Sequence, residues 1–162
     1  MLVRGLKMGQ KNKLIARNRS ARHEYHIEED IEVGIILLGT EVKSIRKGHV
    51  NFKDSYAKVE NNEVFLYNVH IAPYDQGNRY NHEPERKRKL LLNKREIKRL
   101  EDYTKNPGYT LIPLAIYFND RNLVKINLGI GKGKKLYDKR HDIAERTAQR
   151  QIERALRDRQ KE

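Results

Sequence analysis

The 162 residues include no cysteine and no tryptophan. Without cysteine the chain can form no disulfide, no thiolate zinc site and no thiol nucleophile. Long apolar runs are also missing: none approaches the roughly eighteen residues needed to cross a bilayer. The opening MLVRGLKMGQKNK is basic but carries no continuous apolar segment, so it does not read as a secretory signal and a cytoplasmic protein is expected. Phosphate-loop chemistry is absent, because GKGKK has neither the spacing nor the Ser/Thr of GxxxxGK[ST]. There is no G-x-S-x-G. The six histidines form no His-x-x-x-His, and His23 and His26, three apart on a segment of strand character, fall on different faces. A non-enzymatic protein without metal or cofactor is expected. A His/Lys ribonuclease remains as an alternative that no motif supports.

What the chain has in excess is positive charge: 35 Lys+Arg against 22 Asp+Glu, a formal +13 and a pI near 9.9. Such a surface suits a polyanion, nucleic acid first and an anionic membrane second. The length suits one domain with a real core. That domain is organised around Gly39–Ile71. Thr40 can cap a short helix. Val42 and Ile45 share its face, and Gly48 stops it. Two runs of strand character, Asp54–Glu60 and Glu63–Ile71, then meet at Asn61-Asn62, a pair that tolerates the positive φ of a tight hairpin.

Period-two alternation over Tyr25, Ile27, Ile31, Val33, Ile35 and Leu37 predicts an earlier strand region. Glu28-Glu29-Asp30 interrupts it and reads as an exposed turn, since adjacent carboxylates on an extended chain do not converge on one ion. Asn93 with Glu96 forms a capping box for a helix through Ile97 and Leu100 that ends before Asn106-Pro107-Gly108. Two further strands, Tyr109–Phe118 and Leu123–Ile130, turn at 119–122. Five or six short strands, mostly joined by hairpins, and two short helices suggest a mainly β fold, a small antiparallel barrel.

Three stretches carry the nucleic-acid signal. The segment 72–92 interleaves Tyr74, Tyr80 and His82 with Arg79, Arg86, Lys87, Arg88 and Lys89, pairing stacking rings with cations as unpaired bases and phosphates require. The first 22 residues hold seven Lys/Arg and no acid. From Lys132 to Glu162 there are eleven Lys/Arg against six acids, with only a thin apolar stripe of Ile143, Ala148, Ile152, Ala155 and Leu156. This tail is expected to be disordered alone, or helical, and to fold on a polyanionic partner. The alternative is a C-terminal helix packed on its own domain or on another protein. The expected division is a flexible basic arm over 1–17, the barrel over 18–131 and the basic tail over 132–162.

Several of these stretches, in the same order, resemble the small protein B (SmpB) family: GTEVKS, DSYA, NVHIAPY, QGNRYNHEPERKRKLLLNKREI and KGKKLYDKR. The resemblance runs from about Asn18 to the end of the chain. It implies an OB-like barrel that binds the tRNA-like domain of tmRNA, and a tail that enters the decoding centre and mRNA channel of stalled ribosomes during trans-translation. The residues it implicates in tmRNA contact are Asn18, Arg22, His23, Glu32, Asn81, His82, Arg86, Arg88, Lys89, Leu92 and Lys125. In the tail it implicates Lys132, Gly133, Lys134, Lys135, Tyr137, Asp138, Lys139 and Arg140. Through the shared tmRNA it implies elongation factor Tu and alanyl-tRNA synthetase as partners, and no membrane. A ribosomal RNA-binding structural protein shares the basic tail but is indifferent to tmRNA.

Overall fold

The computed structural model describes residues 12–74 and 81–160, with the side chains of 136–138 excepted. The elements run β1 (Lys13–Arg17), α1 (Ala21–Glu24), β2 (Tyr25–Ile35), α2 (Gly39–Arg46), β3 (Val50–Asn51), β4 (Tyr56–Glu60), β5 (Glu63–Tyr67), β6 (His70–Ile71), β7 (Arg88–Leu91), α3 (Lys94–Thr104), β8 (Tyr109–Phe118), β9 (Val124–Gly133) and α4 (Leu136–Gln160). The main sheet follows the order β1-β8-β4-β5-β7-β2-β9, and β8 also pairs with β9. That last pairing closes six antiparallel strands into a barrel, which removes the exposed edges an open sheet would present. β1 lies outside the ring, on β8.

The hairpin at Asn61-Asn62 forms as its residues dictate, with φ of 49° and 63°. It sets the register that opposes Val59 to Val64 and Ala57 to Leu66. Ala57, Val64 and Leu66 are buried with Ile45, Leu111, Ile116, Ile126, Leu128 and Ile130 in one core. Gly48 takes φ 77° at the end of α2. Asn93 accepts from the Glu96 amide at 2.9 Å, and Glu96 accepts from the Asn93 amide at 3.0 Å, so the capping box starts α3 as expected.

Several expectations differ. The 28–30 acids are not a turn: β2 is continuous, with a bulge between Ile27 and Glu29. Glu28 is the extra residue, and it switches the pleat. Tyr25 and Ile27 before it share a face with Asp30, Glu32 and Gly34 after it. His23 lies on α1 rather than on a strand. Thr40 is not the cap, because α2 begins at Gly39 after Leu38. Lys13–Arg17, expected within a flexible arm, pairs with β8 as β1. β9 passes through the GIGKG stretch to Gly133, and the Lys134 amide extends the ladder to the Glu24 carbonyl at 2.9 Å. Among the described residues there are therefore nine strands and three short helices ahead of α4, not five or six and two.

Candidate nucleic-acid interface

The pleat divides β2, β8 and β9 between two faces. Val33, Ile126, Leu128 and Ile130 enter the core. The opposite, outer face starts at α1, where Ala21 covers Ile112 and Leu114 with Tyr25 and Ile27 against them. Glycines on β9 make room for this layer. A Cβ on Gly129 would lie 2.9 Å from Leu114 Cδ1, and one on Gly131 3.0 Å from Ile27 Cδ1. Beyond α1 the face carries the fully buried Tyr117 and Asn127 beside the exposed Glu32. Glu32 stands opposite Asn127, and Gly34 opposite Lys125 on one side and Leu91 on the other.

Asn18 is fixed at the entry to this face: its amide donates to the Leu114 carbonyl at 2.8 Å and its Nδ2 to the Pro113 carbonyl at 2.9 Å. Arg22 is exposed on α1, with His23 half-buried beside it. Glu32 is exposed, yet its carboxylate is oriented, because the hydroxyl of the fully buried Tyr117 donates to it. Burial first, and this carboxylate second, push the Tyr117 hydroxyl far above its ordinary range. Asn127 Nδ2 donates to Asp30 at 3.3 Å. Asn18, Arg22, Glu32 and Lys125 thus lie along one outer surface, and an acid held by a buried donor is shaped to accept from base or sugar groups.

Leu92 does not join them. It packs toward the core, while Leu91 is 50% exposed and leans over Gly34. Strand alternation carries this signal, for Leu90 is buried and its neighbour must face outward. Ile36 and Leu123 are likewise exposed at this end and add apolar surface that the sequence reading did not single out.

The basic run separates by the same pleat. Lys87 and Lys89 point outward. Lys87 lies 4.1 Å from the Phe65 ring centroid and 2.9 Å from Glu60, and Lys89 is 2.8 Å from Glu63. Arg88, expected at the interface, is instead fully buried. Its Nε donates to Glu41, its Nη1 to the Val69 carbonyl at 2.6 Å and its Nη2 to the Pro84 carbonyl at 2.9 Å. His82 is also inside, 2.9 Å from Thr40 Oγ1 and 2.8 Å from the Ile71 carbonyl. Burial alone would raise the Glu41 pKa, but hydrogen bonds from Arg86, the Leu38 amide and Arg88 together hold it below the usual carboxylate range. Asn81 closes the loop by accepting from the Tyr74 amide at 3.1 Å and donating to its carbonyl at 2.6 Å. The Tyr74 ring is flanked by Lys43 of α2 and by Lys47, the residue that caps its C-terminus. Arg79 and Tyr80 lie outside the described residues.

In the tail, Lys132, Gly133, Lys135 and Arg140 are exposed and Lys139 is half-buried. Lys134 is largely buried against Asp142, which it holds below the ordinary carboxylate range. Tyr137 and Asp138 lie on α4, but their side chains fall outside those described. From Ile143 onward α4 is exposed on all sides, its Ile143, Ile152 and Leu156 included. No helix among the described residues is long and apolar enough to cross a membrane.

A closed antiparallel barrel whose outer face carries cations, apolar side chains and an oriented acid belongs to the OB-like nucleic-acid binders. The comparisons narrow this class. The family model described as SmpB protein matches residues 15–158. An SsrA-binding protein of Halothermothrix orenii is 63% identical over 155 residues, 95% of this chain and 99% of that protein. One from a Geobacillus species is 63% identical over 149 residues, 92% of this chain and 96% of that protein. A solved chain described as "tmRNA-SmpB: a journey to the center of the bacterial ribosome" is 51% identical with a TM-score of 0.65, over 75% of this chain and 85% of that one. The chain belongs to the SmpB family, one of RNA-binding proteins and not of enzymes.

Proposed function

We propose that the chain binds the tRNA-like domain of tmRNA on the outer face of its barrel and delivers tmRNA to stalled ribosomes for trans-translation in the cytoplasm. The observation that carries this reading is the placement of Arg22, Glu32 and Lys125 on the outer surface of α1, β2 and β9, with Asn18 held against β8 beside them. The similarity to SsrA-binding proteins along nearly their whole length supports it. Lys125 and the loop arginine Arg86 meet phosphates, Glu32 accepts donors, and exposed Leu91 packs on a base or sugar. Residues 132–140, from Lys132 through Tyr137 to Arg140, act in the decoding centre and mRNA channel, with the rest of α4 following them. Elongation factor Tu and alanyl-tRNA synthetase join through the same tmRNA.

Gel-shift titration of the tRNA-like domain at fixed salt, with circular dichroism alongside, tests the face. Glu32→Ala and Lys125→Ala weaken binding while stability changes by about 0.5 kcal/mol or less. Wild-type affinity in both variants refutes the assignment. Truncation after Lys135 tests the division of labour. Because α4 is exposed from Ile143 onward, melting and tmRNA binding stay near wild type while tagging on stalled ribosomes is lost. Loss of tmRNA binding in the truncated chain refutes that division.

A further inference from the structure

We propose that Arg86 forms an RNA-phosphate site and that Glu41 and Arg88 are its positioning residues, Arg88 itself never touching RNA. The proposal rests on the RNA-binding reading above and adds to it the buried pair that holds Arg86 in place. Glu41 is fully buried at the first turn of α2 and joins three segments. It accepts from its own N-terminal Leu38 amide at 2.8 Å, from Arg88 of β7, and from Arg86 of the loop at 2.6 Å. Two guanidinium groups on one carboxylate leave one net positive charge. Arg88 has every side of its group occupied inside the protein, by Glu41 and the Val69 and Pro84 carbonyls. The uncompensated charge therefore belongs to Arg86, whose side chain is 31% exposed.

The hydrogen bonds of Arg86 are uneven. Only the Glu41 contact is short. Its Nη1 and Nη2 contacts to the Lys87 and Ile36 carbonyls are both long, at 3.4 Å, and its Nε is buried without a partner among the described residues, so any donor offered to a phosphate is at the Nη end. A partly exposed guanidinium anchored through Nη2 on a buried carboxylate, with Nη1 held only by a long contact, is a preorganised phosphate ligand. Its place fits the interface. The Ile36 carbonyl that it reaches lies just beyond Gly34 on the chain, at the end of the outer face where Lys125 and Leu91 stand. The loop that carries Arg86 is tied to α2 a second time, through His82 and Thr40, and to β6 through the Pro84 carbonyl and the Ile71 amide at 3.0 Å.

Full-length variants titrated with the tRNA-like domain of tmRNA at several salt concentrations test this. Arg86→Ala weakens binding about tenfold and makes the log K against log salt slope shallower by about one. Glu41→Leu combined with Arg88→Met removes both buried charges together, a change cores tolerate far better than loss of one partner. It lowers affinity about as much as Arg86→Ala, and adding Arg86→Ala to it has no further effect. Full wild-type affinity in a folded double variant, or additive losses in the triple, overturns the positioning role. The wild-type chain gives an independent reading by NMR: the Arg86 Nε–H resonance shifts on addition of RNA and that of Arg88 does not. A shift of Arg88 equal to that of Arg86 overturns the proposal. No binding by the wild-type chain refutes instead the RNA reading beneath it.

Discussion

Tyr117→Phe isolates the bond between the barrel wall and the interface acid. The ring is fully buried on β8, and its hydroxyl donates to Glu32. Phenylalanine keeps the ring and removes one donor. A hydrogen bond to a charged group is worth about 1.5–3 kcal/mol, but Glu32 is exposed and water takes the vacated position, so the loss at neutral pH is about 1 kcal/mol or less. High pH gives a sharper readout. Burial and the Glu32 carboxylate raise the Tyr117 pKa, so the native state keeps a proton that the unfolded chain releases at about pH 10. Above that pH the native state binds more protons than the unfolded state, and stability must fall as pH rises. One proton corresponds to about 1.4 kcal/mol per pH unit. Urea midpoints measured from about pH 10.5 to 11.5 should fall more steeply for wild type than for Tyr117→Phe by that slope. The same variant should weaken tmRNA binding less than Glu32→Ala does, since it loosens the carboxylate without removing it. Parallel pH profiles for the two proteins refute the buried, proton-retaining tyrosine.

Gly129→Ala places a Cβ 2.9 Å from Leu114 Cδ1 and should destabilise by about 1–3 kcal/mol through overpacking, whereas Gly39→Ala, with nothing within 4 Å, should not; paired urea titrations separate them. Asn93→Ala removes the acceptor for the Glu96 amide and should lower stability by about 1 kcal/mol, read as a fall in thermal midpoint.

Local chemistry was legible where one or two residues decide the geometry. Asn61-Asn62 and the Asn93–Glu96 box formed as read, because positive φ and a side-chain cap are local demands. Glu28 was not legible: a bulge adds one residue without changing composition, and three acids in a row look like a turn on either account. β9 was cut short because GIGKG looks flexible. Gly129 and Gly131 are needed for close packing, since Leu114, Ile27 and Tyr25 lie where their side chains would be, while Gly133 has nothing within 4 Å. Leu91 and Leu92 are chemically equal, and it is the burial of Leu90 that turns Leu91 to the solvent side.

The RKRK run carries the largest lesson about the interface. Composition counts four cations at 86–89 as one basic patch, but a strand sends alternate residues to opposite faces. Arg88 is in the core with Glu41, while Lys87 and Lys89 are outside but paired with Glu60 and Glu63. Of the four, Arg86 alone brings more charge than its protein partner cancels. The formal charge of +13 therefore overstates what the barrel offers a phosphate backbone. Since the salt dependence of binding counts phosphates neutralised rather than cations present, the barrel should show a shallower slope than its composition suggests. The oriented Glu32 fits the same logic. Phosphate contacts carry no sequence information, so discrimination must come from fixed acceptors and packed apolar groups, and those are what Glu32 and Leu91 present at the outer ends of β2 and β7.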